Sequence, residues 1–335
     1  MPKNTILNNQ KRVNLDQIND ELQLGNQITI QFSEPIYDEA ILADLDTLCK
    51  IHNSSLSIRF YGHYGTFFDC KYLEYLPSVK SLYLDCLDSV MNFRRLRYLQ
   101  NMERLHIGIY KLEESDFLVW DNLYKLTELV IGDTKKNNII LHHLSNYSDL
   151  NTLFINGHIK GIDSIAECKN IKDLSLSIAS KASISFINSL SNLKNLRFIL
   201  GGRENLLEIK KNEIESLEII RVRGFSSFGN TSDFRKLKRI QIEDQIQLRE
   251  LVFDMDMPFL EDMKLVNCKN LSTCDGIRHL STLNQMRIYR TDINFDKFIE
   301  QELPRKLRLF SFYSGEKKAD ERTREKLEQM GYREK

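Results

Sequence analysis

Three stretches, LQNMERLHI (99–107), LYKLTELVI (123–131) and LSTLNQMRI (280–288), share the pattern apolar-x-x-apolar-x-x-apolar-x-apolar. Seven further segments follow it, at 76–84, 147–155, 168–176, 193–201, 214–222, 234–242 and 257–265, and the segment 193–201 fits least well because it ends in Gly201. The third apolar residues of the ten segments are Leu82, Leu105, Leu129, Leu153, Leu174, Ile199, Ile220, Ile240, Met263 and Met286. They recur every 20 to 25 residues, a period typical of repeat architectures.

The pattern has a simple physical reading. Each segment supplies a short strand whose alternate side chains point inward. One such strand cannot bury its apolar face alone, so neighbouring repeats must stack and form a parallel sheet. Apolar residues at the start of the segments, such as Leu76, Leu99 and Leu123, are expected to close the core from the returning chain.

Over residues 76–290 the pattern resembles the leucine-rich-repeat family, whose motif is L-x-x-L-x-L-x-x-N/C-x-L. The resemblance implies an α/β leucine-rich-repeat solenoid, curved, with a parallel β-sheet on the concave side and short helices or irregular turns on the convex side. The ninth motif position departs from the family: it reads Leu87, Tyr110, Thr134, His158, Ala179, Glu204, Phe225, Gln245, Cys268 and Thr291. We expect only Cys268 and the two threonines to replace the asparagine, so most of the family's asparagine ladder is absent and the turns are irregular.

The residues before the repeats predict a strand at 28–32, a helix at 34–52 and a strand at 56–60. Apolar residues at helical spacing indicate the helix, namely Ile36, Ala40, Leu45, Leu48 and Cys49. Ser33 is the expected N-cap and Pro35 lies just inside the start. We interpret 1–75 as divergent N-terminal repeats or a cap of the same solenoid, and a separate small α/β domain is the alternative.

The C-terminal residues predict a last strand at 306–310 and a charged helix. Leu327, Met330 and Tyr332 form a thin apolar stripe, and Gly331 is a helix-ending residue. We expect 76–310 to hold ten to eleven repeats and 311–335 to be a capping helix, because solenoids need a polar cap on each open end. A free, partner-binding helix is the alternative.

The 47 Lys and Arg residues equal the 47 Asp and Glu residues, so the chain as a whole has no attraction for nucleic acid or anionic lipid. No run of about 18 apolar residues and no secretory-type apolar segment occurs. We therefore expect a cytoplasmic protein without a membrane partner. The six scattered cysteines are expected to be reduced and structural.

Motifs for phosphate, dinucleotide, zinc or acyl chemistry are missing from the sequence. The neighbouring His142 and His143 lie between repeats, and no ligand set converges on them in the sequence. We expect no catalytic residue, no metal and no cofactor. An enzyme whose site lies in residues 1–75 is the alternative.

The residues between the inward pairs of each strand are expected to line the concave wall, where extended solenoids bind their partners. The candidate partner-binding residues are Tyr83, His106, Phe154, Arg197, Arg221, Arg223, Arg239, Lys264, Arg287, Tyr289 and Arg290. Aromatic residues and arginines of this kind form protein-binding hot spots. The prediction is a protein partner with an acidic surface, and the alternative is nucleic acid tracking the basic C-terminal half of the wall. Apolar Val130 and Leu200 in the same columns strengthen the prediction of a covered surface.

Overall fold

The computed structural model describes residues 3–9, 12–33, 38–63 and 65–334. It divides into two compact units, Met1–Asn170 and Ile171–Lys335. In each unit the repeated strands lie side by side in parallel, as the apolar pattern predicts.

The strands of the N-terminal unit are β1 (Asn4–Asn8), β2 (Gln27–Phe32), β3 (Leu56–Tyr61), β4 (Phe67–Asp69), β5 (Ser81–Leu87), β6 (Ser89–Met91), β7 (Arg104–Ile109), β8 (Glu128–Ile131) and β9 (Thr152–Asn156). The order of the sheet is β1-β2-β3-β5-β7-β8-β9, and β4 pairs separately with β6. The two predicted strands of the region before residue 75 are present as β2 and β3, and β3 pairs in parallel with β5.

The strands of the C-terminal unit are β10 (Asp173–Ser177), β11 (Asn195–Ile199), β12 (Ser216–Ile220), β13 (Arg239–Glu243), β14 (Glu250–Val252), β15 (Asp262–Val266), β16 (Thr273–Asp275), β17 (Gln285–Tyr289) and β18 (Leu309–Tyr313). The order of the sheet is β10-β11-β12-β13-β15-β17-β18, and β14 pairs with β16.

The helices are α1 (Leu15–Gln23), α2 (Glu39–His52), α3 (Phe295–Phe298) and α4 (Lys317–Gln329). Helix α2 is the predicted one, but Ser33 is not its N-cap. Asp38 caps it, because its Oδ1 accepts a hydrogen bond from the Ile41 N–H at 2.8 Å. Ile36 and Pro35 lie outside the described residues. In the described part of the chain no helix combines the length and the apolar composition needed to cross a bilayer.

Short 3₁₀ segments carry the chain back between strands, and they close the core. They span Asn53–Ser55, Cys70–Tyr75, Phe93–Tyr98, Phe117–Val119, Asp121–Leu123, His142–Asn146, Ile162–Glu167, Ser185–Ser189, Thr231–Phe234 and Ile277–His279. A 3₁₀ helix has three residues per turn, so apolar residues three apart share one face. Phe93, Leu96 and Leu99 follow this spacing and are buried.

The repeat frame predicted from the sequence is wrong at Ile199 and Ile220. The register pairs Leu174 with Leu196 and Leu196 with Leu217, three residues earlier. Leu196 and Leu217 are fully buried, whereas Ile199 and Ile220 are only partly buried. The slip arises because apolar residues follow the inward pair directly in these two strands, so the pattern fits two frames.

Strands in the C-terminal unit end at residues with left-handed backbone conformation, which side-chain-bearing residues adopt uncommonly. The residues are Leu200, Arg221, Asp244, Asn267 and Arg290, with φ between 52° and 61°. Each donates its N–H to the last carbonyl of the next strand, from Leu200 to Ile220 at 2.8 Å through to Arg290 and Tyr313 at 2.7 Å. This shared turn sets the point at which the chain leaves the sheet after β11, β12, β13, β15 and β17.

The prediction that only Cys268 and two threonines replace the ladder asparagine is wrong at His158 and Gln245. Both side chains are buried, and each donates to a backbone carbonyl of the preceding repeat: His158 Nε2 to Gly132 at 3.0 Å, and Gln245 Nε2 to Ile219 at 3.3 Å. The Cys268 thiol contacts the Ile242 carbonyl in the same way at 3.6 Å. Several residue types therefore provide the contact that asparagine provides in the family.

The last strand lies at Leu309–Tyr313 rather than at 306–310, because Phe310 and Phe312 are the inward pair. Helix α4 follows, with Leu327 buried and the Tyr332 ring 5.6 Å from that of Phe310. Met330 is exposed and is not part of a buried stripe. After the helix, Arg333 bonds to the free edge of β18, donating to Arg308 and accepting from Phe310. Helix and tail thus cover the edge strand.

Candidate functional site

The open face of the N-terminal sheet carries an aromatic row. The register places Tyr83, His106, Val130 and Phe154 directly beside one another on four neighbouring strands. The rings of Tyr83 and His106 are 3.9 Å apart. His106 Nε2 lies 2.6 Å from Glu128 Oε1, and this hydrogen bond lowers the pKa of the Glu128 carboxyl. Tyr83, His106 and Phe154 thus occupy the face that the sequence predicts.

Two glycines leave a strip without side chains beside this row. Gly108 and Gly132 lie on β7 and just after β8, and a Cβ placed on Gly132 would be 3.1 Å from the Gly108 Cα and 3.2 Å from the Ile107 carbonyl oxygen. The backbone therefore forms the floor next to His106 and Val130.

The middle row of the C-terminal sheet is formed by the outward-facing residue at the centre of each strand. It differs at β11 and β12 from the row that the sequence predicts, because the predicted repeat frame is wrong in these two strands. It consists of Ser175, Arg197, Glu218, Gln241, Lys264, Arg287 and Ser311. Arg197, Lys264 and Arg287 therefore face outward as predicted. Arg221 and Arg223 do not: they lie beyond the end of β12, and the open-face position assigned to Arg221 belongs to Glu218.

Several of the predicted cations are neutralised within the chain. Arg197 Nε lies 3.3 Å from Glu218 Oε1. Arg221 Nε lies 2.7 Å from Asp244 Oδ2, and this contact lowers the pKa of Asp244. Arg239 lies in the row before the middle one, next to Asp262 on the following strand. Arg197 on the open face and Arg221 at the end of β12 are therefore each paired with a carboxylate of the chain.

The last three strands of the sheet present a different surface, which we call the C-terminal cluster. It consists of Lys264, Val266, Arg287, Tyr289, Arg290 and Tyr313. Between β15 and β17 the register partners are Lys264 with Arg287 and Val266 with Tyr289. Between β17 and β18, Tyr289 is the partner of Tyr313. The two tyrosine rings lie 6.3 Å apart edge to face, and the Arg290 guanidinium lies 5.0 Å from the Tyr289 ring centre. All six side chains are partly or fully exposed.

Arg221 and Arg223 contribute instead to a groove of about 630 Å³ that lies at the ends of β12, β13, β15 and β17. Lys269 and Arg290 line it as well, and Ile246, 69% exposed, provides an apolar wall. Asp244 is the acidic residue in this lining. The groove is therefore positively charged, and Arg290 joins it to the C-terminal cluster.

The cysteine thiols lie mostly in the core. Burial raises the pKa of Cys49, Cys168 and Cys274 to about 12 and that of Cys268 to about 11, so these thiols are protonated at neutral pH. Within the described ranges no group of three or more His, Cys, Asp or Glu residues is placed to hold a metal ion.

Comparison with solved structures agrees with this architecture. An internalin from Listeria monocytogenes aligns with 93% of this chain and 87% of its own, at 16% sequence identity and a TM-score of 0.55. A leucine-rich-repeat protein from Leptospira interrogans aligns with 96% of this chain and 92% of its own, at 13% identity and a TM-score of 0.43. No family model matches the sequence, and no curated protein matches it either.

The parallel repeated strands, the ladder contacts and the likeness to the internalin define the class. The chain has the leucine-rich-repeat fold, an α/β solenoid of parallel strands and short 3₁₀ turns. The resemblance drawn from the motif and the predicted fold class are confirmed.

Proposed function

We propose that this protein is a non-catalytic recognition module that binds an acidic segment of a partner protein through the open sheet face of its C-terminal unit. Repeat folds use such extended faces for binding. The observation that carries the proposal is the C-terminal cluster, where Lys264 and Arg287 are neighbours in register beside Tyr289 and Tyr313.

Lys264 and Arg287 place two positively charged side chains next to each other on neighbouring strands of the open face. A carboxylate of a partner protein beside these two cations would form charge-assisted hydrogen bonds with them. Tyr289 and Tyr313 beside them offer the rigid aromatic surface that is enriched at binding hot spots.

The charge distribution of the chain also favours an acidic partner here. Ile171–Lys335 contains 30 Lys and Arg residues against 25 Asp and Glu residues, although the chain as a whole is neutral. Electrostatic complementarity of this kind increases the rate and specificity of association.

We propose a protein rather than a nucleic acid as the partner because carboxylates interrupt the basic residues. Glu218, Glu243 and Asp262 lie on the same open face as Lys264 and Arg287. They would repel a continuous phosphate backbone, whereas a short acidic segment can engage the cluster without meeting them.

The remaining assignments are proposals of the same kind. The aromatic row of Tyr83, His106 and Phe154 is proposed as a contact surface of the N-terminal unit, and Arg197, Arg221, Arg223 and Arg239 as flanking contacts. We propose that residues 1–75 are divergent first repeats, 76–310 the main array and 311–335 a cap, the last because α4 and Arg333 cover β18. A cytoplasmic location is proposed from composition alone.

The test is selection of displayed random peptides on the wild-type protein, followed by binding of the recovered peptides to two variants. Lys264→Glu with Arg287→Glu reverses the charge of the cluster. Lys317→Glu with Lys318→Glu makes the same change of charge in the exposed first turn of α4, where carboxylates are favourable.

We expect peptides rich in Asp and Glu beside aromatic or apolar residues. The cluster variant should weaken their binding by at least tenfold, about 1.4 kcal/mol, and raised salt should weaken binding to the wild type. The α4 variant should bind them like the wild type. Equal binding to both variants, or peptides without acidic residues, would refute the proposed face.

A further inference from the structure

A short turn of the N-terminal unit, away from the sheet face, concentrates exposed cationic and aromatic side chains. In the 3₁₀ segment Phe93–Tyr98, Phe93 and Leu96 are buried and anchor the turn. Arg94, Arg95, Arg97 and Tyr98 are exposed, Tyr98 by 71%. The anchoring residues fix the turn while its four other side chains remain available.

The geometry of the turn brings the arginines together. With three residues per turn and a rise of about 2 Å per residue, Arg94 and Arg97 project from one side about 6 Å apart, and Arg95 lies on the side of Tyr98. All four side chains line one groove of about 800 Å³. Gln100, Glu114 and Asp121 complete much of its lining.

The three guanidinium groups have no ion pair or hydrogen bond to another side chain in the part of the chain that the structure describes. Arg95 lies over the Tyr98 ring at 5.8 Å, and Arg97 lies over the Trp120 ring at 5.9 Å. A guanidinium stacked on a ring keeps its planar N–H edge free, and that edge matches an oxyanion in two-point hydrogen bonds. The N-terminal unit has 17 Lys and Arg residues against 22 Asp and Glu residues. The three arginines are therefore a local positive cluster in a unit whose net charge is negative.

We propose that this groove binds a phosphate monoester, the group carried by a phosphorylated side chain of a partner protein. Arg94 and Arg97 from one side and Arg95 from the other supply more donors than a single carboxylate can use, and a phosphate monoester offers three acceptor oxygens. Glu114 and Asp121 on the wall would repel further phosphates, so the groove accepts one compact dianion and rejects a nucleic-acid backbone.

The test uses the single tryptophan of the chain as a reporter. The Arg97 guanidinium lies over the Trp120 ring, so we expect an anion that binds Arg97 to change the fluorescence of Trp120. The probes are a capped Gly-phosphoserine-Gly peptide, its serine and glutamate counterparts, and inorganic phosphate, titrated at low ionic strength with calorimetry in parallel. Arg94→Ala and Arg95→Ala preserve the reporter contact, and Arg249→Ala, an exposed arginine of the other unit, is the matched control.

We expect a saturable signal with the phosphoserine peptide, none with the serine peptide and clearly weaker binding of the glutamate peptide. Arg94→Ala and Arg95→Ala should each weaken binding about tenfold or more at unchanged circular dichroism, and Arg249→Ala should not weaken it. The proposal is overturned if neither method detects saturation, if both groove variants bind like the wild type, or if the glutamate peptide binds equally well. Inorganic phosphate binding as tightly as the peptide would overturn the assignment to a phosphorylated side chain.

Discussion

Replacing His158 tests whether this buried histidine makes the backbone hydrogen bonds that an asparagine makes in the family's ladder. Its Nδ1 accepts the Ile139 N–H at 3.2 Å and its Nε2 donates to the Gly132 carbonyl at 3.0 Å. The two partners fix the neutral tautomer with the proton on Nε2. In His158→Leu both backbone groups lose this partner, and each buried group left unpaired costs about 1–3 kcal/mol, so we expect a loss of about 2–6 kcal/mol. His158→Asn should lose less, because its amide has both a donor and an acceptor.

The same contacts predict a specific pH dependence. Burial lowers the pKa of His158, because it disfavours the charged imidazolium. Protonation would also place a hydrogen on the Nδ1 atom that accepts the Ile139 N–H. The unfolded chain therefore binds the proton first, and stability falls as the pH drops below the ordinary histidine pKa of about 6.5, by up to about 1.4 kcal/mol per pH unit. Above that pH the histidine is neutral in both states and contributes no slope.

The assay is urea unfolding followed by Trp120 fluorescence, since Trp120 and His158 lie in the same unit. Titrations at pH 7.5 and 5.5 are compared between the wild type and His158→Asn. The wild type should lose more stability than the variant between these pH values. Equal losses, or a His158→Leu protein as stable as the wild type, would refute the assigned ladder role.

Two further predictions concern the repeat frame and the cap. In chemical unfolding, Leu196→Ala should destabilise the protein by about 2–5 kcal/mol and Ile199→Ala by clearly less. The reason is that Leu196 is fully buried whereas Ile199 lies on the open face. The reverse order would support the repeat frame predicted from the sequence. Leu327→Ala should detach α4 from β18 and speed hydrogen exchange of the Phe310 amide, which bonds to Arg333; unchanged exchange would contradict the capping role.

Much of the fold could be predicted from the sequence because the inward pairs repeat so regularly. The frame failed only where the sheet face is also apolar, at Phe198–Ile199 and Ile219–Ile220, since local pattern cannot tell an inward apolar residue from an outward one. Strand β1 and helix α1 were not predicted. In α1 only Ile18 and Leu22 are buried, too few to give a clear helical period.

The candidate site was less predictable, since ion pairing depends on which residues become register neighbours. Nothing in the sequence near Arg197 indicates an ion-pair partner. Its partner Glu218 lies 21 residues away and contacts it because β11 pairs with β12. The 3₁₀ segment Phe93–Tyr98, by contrast, has a pattern that is visible in the sequence. Apolar residues stand three apart, at Phe93, Leu96 and Leu99, with Arg and Tyr between them. That spacing indicates a buried 3₁₀ face and an exposed basic one.

The repeated turn at the strand ends accommodates side chains of very different chemistry. The left-handed positions hold Leu200, Arg221, Asp244, Asn267 and Arg290, chemically unlike residues whose backbone hydrogen bonds are the same. At these strand ends the shared contact is therefore made by the backbone, whatever side chain stands there. Under the proposed function, a partner is contacted by side chains that these turns do not specify, and the C-terminal cluster is where two neighbouring cations and half-exposed tyrosines occur together.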